Sequence, residues 1–210
     1  MGGPPEGGRI HGANLMLYLL RHGETTWNAA GRYQGHQDSP LTPRGRDQAA
    51  SLGRILSRLH RFSKDPLLAY VSPLGRAQES ADIIGRHVSL NRLDEPRVME
   101  VSMGSWDGMT HYEVSMEYPE ALAESSRYDW YFRSPDGESL DAFVTRISSW
   151  LKDARTPAVV ISHGVTGRII RGLYLGLSRS EMLELPTPQD GLYALDSGSV
   201  RFIAEADVVS

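Results

Sequence analysis

Leu15-Met16-Leu17-Tyr18-Leu19-Leu20 runs directly into Arg21-His22-Gly23, and Ala158-Val159-Val160-Ile161 runs into Ser162-His163-Gly164. Each run is short, rich in bulky or branched side chains and closed by a turn signal, the pattern of a buried strand that ends in a loop. Open α/β sheets bind ligands beyond the carboxyl ends of their strands, so two such strands lying side by side would bring His22 and His163 together. A glycine after each histidine lets backbone approach a ligand closely. Arg21 adds a planar fork of donors suited to phosphate or carboxylate. The pattern predicts a site for an anion.

Working outward, Thr42-Pro43 is an N-cap followed by proline at the first helical position, and Leu52, Ile55, Leu56 and Leu59 fall on one face. Leu67–Val71 reads as a strand. Ser72-Pro73 repeats the cap-then-proline signal and predicts a helix toward His87, with Arg76 in its first turn near the two histidines. Thr110 to Glu113 fits a capping box, with Pro119 interrupting the helix that follows. The aromatic run Tyr128–Phe132 is expected to pack rather than to form a lid. Helical stripes follow from Ser139 (Leu140, Phe143, Val144, Ile147, Leu151) and after His163 (Val165, Ile169, Ile170, Leu173, Leu177). Leu192–Leu195 and Val200–Ala204 flank Asp196-Ser197-Gly198-Ser199 like a hairpin. Strand alternates with helix, so the fold class is α/β, with a mostly parallel central sheet and an antiparallel edge.

The chain has 210 residues, 40% of them hydrophobic, enough for one full core. A net charge of -4 gives no general attraction to nucleic acid or an anionic membrane, so phosphate affinity must be local. No apolar stretch approaches the roughly 20 residues needed to span a bilayer. The absence of cysteine excludes disulfides and Cys-ligated metal and fits a cytoplasmic location. Residues 1–14 read as a flexible tail and residues 15–210 as a single domain; a homodimer is the default assembly.

Arg21-His22-Gly23-Glu24-Thr25, with Trp27-Asn28 and Tyr33-Gln34-Gly35 after it, resembles the signature of the histidine phosphatase superfamily, which includes the cofactor-dependent phosphoglycerate mutases. Ser72-Pro73-Leu74-Gly75-Arg76-Ala77 is similar to the family's second motif, which supplies another phosphate-binding arginine. Glu100, followed by Gly104, Trp106 and Gly108, resembles the segment that carries the proton donor. Gly137-Glu138-Ser139-Leu140 and Ser162-His163-Gly164 complete the set in the family's order. The resemblance implies a phosphoglycerate mutase-like three-layer α/β/α sandwich and a phosphomonoesterase that needs neither cofactor nor metal.

Charge explains the residue types. A phosphate monoester dianion repels nucleophiles, and its transfer depends on positioning and on stabilising the equatorial oxygens. Arg21 and Arg76 would supply charge-assisted hydrogen bonds, and His163, protonated beside the phosphate, a third positive group. Neutral imidazole is nucleophilic, so His22 is the expected attacking residue, provided an acceptor holds its other nitrogen. Glu100 is the candidate acid for the leaving group, ahead of Glu95, Glu113 and Glu117. Asn28, Gln34, Gly35 and the Gly164 amide would complete the phosphate cradle. His36, His60, His87 and His111 read as structural or solvated.

Two histidines and a glutamate could bind zinc, but there is no close-spaced histidine pair, and the arginines would repel a divalent ion. Within the superfamily, the compact Val101 to Asp136 segment resembles the phosphatase branch rather than the mutases, which carry a longer insertion there. A phosphoglycerate mutase is the alternative, with Arg127 and Arg133 available to a second anionic group. A non-catalytic phosphate-binding domain is a third reading, against which the presence of both histidines and the glutamate stands. The expected partner is a small-molecule phosphomonoester, with no nucleic acid and no membrane.

Overall fold

The computed structural model describes residues 16–61, 63 and 65–208; the expected tail, residues 1–14, lies outside them. In chain order the elements are β1 (Leu17–Arg21), α1 (Thr26–Ala29), α2 (Pro43–Leu59), β2 (Leu67–Val71), α3 (Gly75–Ile84) and β3 (Leu90–Asp94). There follow α4 (His111–Glu117), α5 (Pro119–Leu122), α6 (Leu140–Asp153), β4 (Ala158–Ser162), α7 (Gly164–Leu175), α8 (Arg179–Glu184), β5 (Gly191–Asp196) and β6 (Ser199–Ala204). The strands form one six-stranded sheet in the order β3-β2-β4-β1-β5-β6. β3, β2, β4 and β1 are mutually parallel, whereas β5 pairs antiparallel with β1, and β6 with β5.

The period of two in β1 and β4 sets the layers. Leu17, Leu19, Ala158 and Val160 pack into one core with Phe143, Ile147 and Trp150 of α6 and Ile169 and Ile170 of α7. Tyr18, Leu20, Val159 and Ile161 pack into the other with Leu52, Ile55 and Leu56 of α2 and Ala77, Ala81 and Ile84 of α3. Burial on both faces explains why these strands read as continuous apolar runs rather than alternating ones. The result is a three-layer α/β/α sandwich.

Thr42 caps α2 through the Gly45 amide with Pro43 in the first position, Ser139 caps α6 through the Ala142 amide, and Thr110 and Glu113 form the capping box of α4. The start of α3 departs from expectation. Ser72 does not cap it: the Ser72 amide extends the sheet by donating to Ile161 O (3.0 Å), and α3 begins at Gly75. Asp38 serves instead, accepting from the Gly75 and Arg76 amides at 2.6 and 3.2 Å. β3 carries no apolar run, because it is a half-exposed edge. Only β6 closes the other side, since β5 is flanked by β1 and β6.

Candidate active site

Sheet register brings the two histidines together. Arg21 pairs with Ser162 at the carboxyl ends of β1 and β4, and the His22 amide donates to Ser162 O (3.0 Å). The rings of His22 and His163 therefore stand 5.2 Å apart between centroids, both buried. Above them opens a cleft of about 870 Å³, lined among others by Arg21, His22, Asn28, Gln34, Gly35, Arg76, Glu100 and Gly164.

His22 is prepared on one nitrogen. Its Nδ1 lies 2.8 Å from Gly23 O, a carbonyl that can only accept, so the proton resides on Nδ1 and Nε2 keeps its lone pair. Burial first, then the Arg76 and Arg21 charges, holds the imidazole well below the usual histidine range and so neutral. Gly23 serves packing rather than ligand approach: a Cβ there would lie 2.1 Å from Gly45 O at the start of α2.

His163 is also held below the usual range, by burial, Arg76, His22 and Arg21, so the positive charge expected of it is absent from the free site. It remains a donor. Ser72 Oγ accepts from the Leu74 amide and lies 2.7 Å from His163 Nε2; where the serine hydroxyl donates that bond, the ring proton sits on Nδ1. That Nδ1 is buried and has no partner.

Both arginines are anchored with a donor to spare. Arg21 Nη1 donates to Thr187 O (2.6 Å), while its Nε is buried without a partner. Burial lowers its pKa to about 10, partly opposed by Glu100, so it stays cationic at neutral pH. Arg76 is 2% exposed; its Nη1 donates to Gln37 O and Asp38 Oδ1, both at 2.7 Å, its Nη2 to Gly35 O at 2.8 Å, and its Nε has no partner. Gly35 thus contributes a carbonyl that fixes Arg76. Asn28 and Gln34 are half committed: Asn28 Oδ1 accepts from the Thr25 amide, and Gln34 Oε1 from the Ser39 amide and hydroxyl. Their amide nitrogens are uncommitted among the described residues.

Glu100 meets the start of α7. Its Oε1 accepts from the Val101 and Thr166 amides (3.1 Å each), and its Oε2 from the Val165 amide (3.0 Å). Oε2 keeps a lone pair for a proton. Glu113 is instead paired with Arg32 and Glu95 with Arg97, and neither they nor Glu117 line the cleft.

Several contributors carry no sequence signal. The successive carbonyls of Leu185, Pro186 and Thr187 accept from Arg168, Arg171 and Arg21, and Gln189 Nε2 donates to His22 O (2.9 Å). These contacts join residues far apart in the chain, and a backbone acceptor can belong to any residue type. Two histidines read as structural or solvated also reach the site: His111 lines the cleft, and His36 Nε2 donates to Glu100 O (2.9 Å). The aromatic run divides, with Trp130 and Tyr131 buried in the core while Tyr128 and Arg127 join them in the cleft wall. Arg133 pairs with Asp129 and does not line the cleft.

A family model described as histidine phosphatase superfamily (branch 1) matches residues 17–205. The phosphoserine phosphatase 1 of Hydrogenobacter thermophilus is 35% identical over 80% of this chain and 79% of its own length. The protein named probable phosphoglycerate mutase GpmB from an Enterobacter species is 34% identical over 78% of this chain and 76% of its own. Among solved structures, the alpha-ribazole phosphatase of Shigella flexneri superposes with a TM-score of 0.74 at 27% identity, covering 90% of this chain and 95% of that one.

Proposed function

The chain belongs to branch 1 of the histidine phosphatase superfamily and is a phosphatase of small phosphorylated metabolites, and from that premise we propose that it works through a phosphohistidine at His22, without a metal. The observation that carries this reading is a neutral His22, whose free nitrogen is Nε2, in a cleft also lined by Arg21 and Arg76, two buried arginines whose Nε atoms have no partner. Leaving a buried polar group unpaired costs about 1–3 kcal/mol, and an anion with several acceptor oxygens can accept from such donors.

In the first half-reaction, His22 Nε2 forms a bond to phosphorus as the bond to the leaving oxygen breaks. Arg21, Arg76, His163 and the Gly164 amide at the start of α7 stabilise the equatorial oxygens, with the side-chain amides of Asn28 and Gln34 as further donors. Glu100 is the acid, giving a proton to the leaving oxygen from Oε2. In the second half-reaction the Glu100 carboxylate takes a proton from water, the water oxygen bonds to phosphorus, and His22 leaves. The products are an alcohol and inorganic phosphate.

One domain, residues 15–210, suits a site that gathers strand ends, helix starts and loops at one edge of a single sheet, and a homodimer is the assembly we propose, to be checked by light scattering. No helix among the described residues is long and apolar enough to cross a membrane, which accords with the cytoplasmic location we propose.

The test is chemical trapping. Acid-labile phosphoenzyme should accumulate after a rapid quench of the wild type and be absent from His22→Ala, while Arg76→Ala, lacking a stabiliser rather than the attacking atom, should trap it slowly. A phosphoenzyme retained in His22→Ala would remove the assignment. In the same assay EDTA should leave turnover intact; loss with EDTA and recovery with one divalent ion would overturn the metal-free reading.

A further inference from the structure

Gly137-Glu138-Ser139 has no member in the cleft wall, yet every part of it bears on the chain around Glu100. The Glu138 amide donates to Ser102 O at 2.8 Å. A Cβ on Gly137 would sit 2.8 Å from that same oxygen, so only glycine permits the approach. Ser139 caps α6, and two turns into that helix stands Arg146. The Glu138 carboxylate grips the Arg146 guanidinium in a fork, with Nε to Oε1 at 2.9 Å and Nη2 to Oε2 at 2.7 Å. The Phe143 ring, one turn earlier on the same helix, lies 4.9 Å from the guanidinium carbon.

So held, Arg146 spends its remaining donors on backbone. Nη1 donates to Arg97 O (2.8 Å) and Met99 O (3.2 Å), and Nη2 to Glu100 O (3.4 Å). Val98 O and Met99 O also accept from the Ser162 and Thr166 hydroxyls, both at 2.8 Å. Four successive carbonyls, from Arg97 to Glu100, are therefore fixed by side chains, although the segment belongs to no strand or long helix. A loop with this many tethers is held more tightly than its irregular backbone requires.

We propose that the Glu138–Arg146 pair is a brace that positions Glu100 for proton transfer, which makes Arg146 and Glu138 positioning residues for the phosphatase reaction. The inference rests on the reading of Glu100 as the acid. A planar, bidentate cation suits the task, because it fixes direction as well as distance on several carbonyls at once, which a lysine cannot do. The half-buried carboxylate of Glu138 in turn fixes the guanidinium. Misplacing a catalytic group by about 1 Å costs on the order of 100-fold in rate, and the penalty here should fall on the step that needs the proton.

The experiment compares kcat/KM for β-glycerophosphate, whose alkoxide must be protonated, with that for p-nitrophenyl phosphate, whose leaving group hardly needs a proton, in Arg146→Met, Arg146→Lys and Glu138→Gln. Arg146→Met should lose on the order of 100-fold on the alkyl ester and less than about threefold on the aryl ester. Glu138→Gln and Arg146→Lys should fall between it and the wild type in the same ratio. Partial unfolding lowers the active fraction and so both values equally, leaving the ratio untouched. Should Arg146→Met fail to fold, Glu138→Gln supplies the ratio. Equal losses on the two esters overturn the brace. Glu100→Gln run alongside separates the failures: a ratio change there with none in the brace variants removes the brace alone, and none in either removes the acid assignment as well.

Discussion

Ser72 Oγ lies 2.7 Å from His163 Nε2 and so joins the end of β2 to the end of β4 across the floor of the site. The serine that reads in sequence as a helix cap is instead the hydrogen-bond partner of the second histidine. Ser72→Ala should leave Nδ1 without a guaranteed proton. We expect a loss of roughly 0.5–1.5 kcal/mol of transition-state stabilisation, up to about tenfold in kcat/KM, with phosphoenzyme still trapped at His22. Rates unchanged from the wild type would show that His163 finds its tautomer without Ser72.

The two buried histidines also make the free protein acid-sensitive. Both have folded-state pKa values depressed below the ordinary 6.5, so above that pH they are neutral in folded and unfolded chains alike. As pH falls below 6.5 the unfolded chain takes up protons that the folded site refuses, and stability drops at about 1.4 kcal/mol per pH unit for each histidine. Denaturant melts between pH 7.5 and 5 should therefore show a steeper acid loss in the wild type than in His22→Gln/His163→Gln. Glu205, whose folded pKa is pulled down to about 2 by Arg54 and Ser51, loses its contribution as pH falls from its unfolded value, but it does so alike in both proteins and cancels in the comparison. Identical slopes would mean that the histidines are protonated in the folded protein.

How much of this was legible in the chain depended on whether a feature is local. Capping by Thr42 and by the Thr110–Glu113 box is local chemistry, and so was readable. The pairing of His22 with His163 was readable because two buried parallel strands announce themselves as apolar runs. β3 was not, since an exposed edge needs no apolar run, and neither was the start of α3, because its cap, Asp38, lies in a distant loop. That His163 is neutral in the free site has the same non-local origin: it depends on burial and on Arg76 arriving from another element. Motifs named the reacting groups. Only the folded chain shows what aims them, from the Thr187 carbonyl on Arg21 to the Arg146 fork on the Glu100 segment.

The last expectation concerns the fate of the phosphoenzyme. A mutase must shield phosphohistidine from water until an acceptor hydroxyl arrives, whereas a phosphatase must admit water to it. The wall that decides this is built by the short stretch from Val101 to Asp136, which contributes Val101, Met103, His111, Arg127, Tyr128, Trp130 and Tyr131 around the cleft of about 870 Å³. Of the two arginines available to a second anionic group, Arg127 lines that cleft and Arg133 is paired away with Asp129. Arg32 and Arg168 also line the cleft, but Arg32 is paired with Glu113 and Arg168 donates to Leu185 O and the Tyr131 hydroxyl, so it is the short wall that leaves Glu100 free to activate water. We therefore expect phosphoenzyme formed at His22 to decay within the time of turnover and to release inorganic phosphate with no bisphosphate primer. Incubation with 3-phosphoglycerate, with and without 2,3-bisphosphoglycerate, beside a panel of other monoesters follows both fates in one assay. Vanadate, which mimics the trigonal-bipyramidal transition state, should inhibit phosphate release from every ester in the panel. Efficient formation of 2-phosphoglycerate that depends on the primer, with little phosphate released, would place the chain among the mutases and would mean that the wall excludes water in the substrate complex.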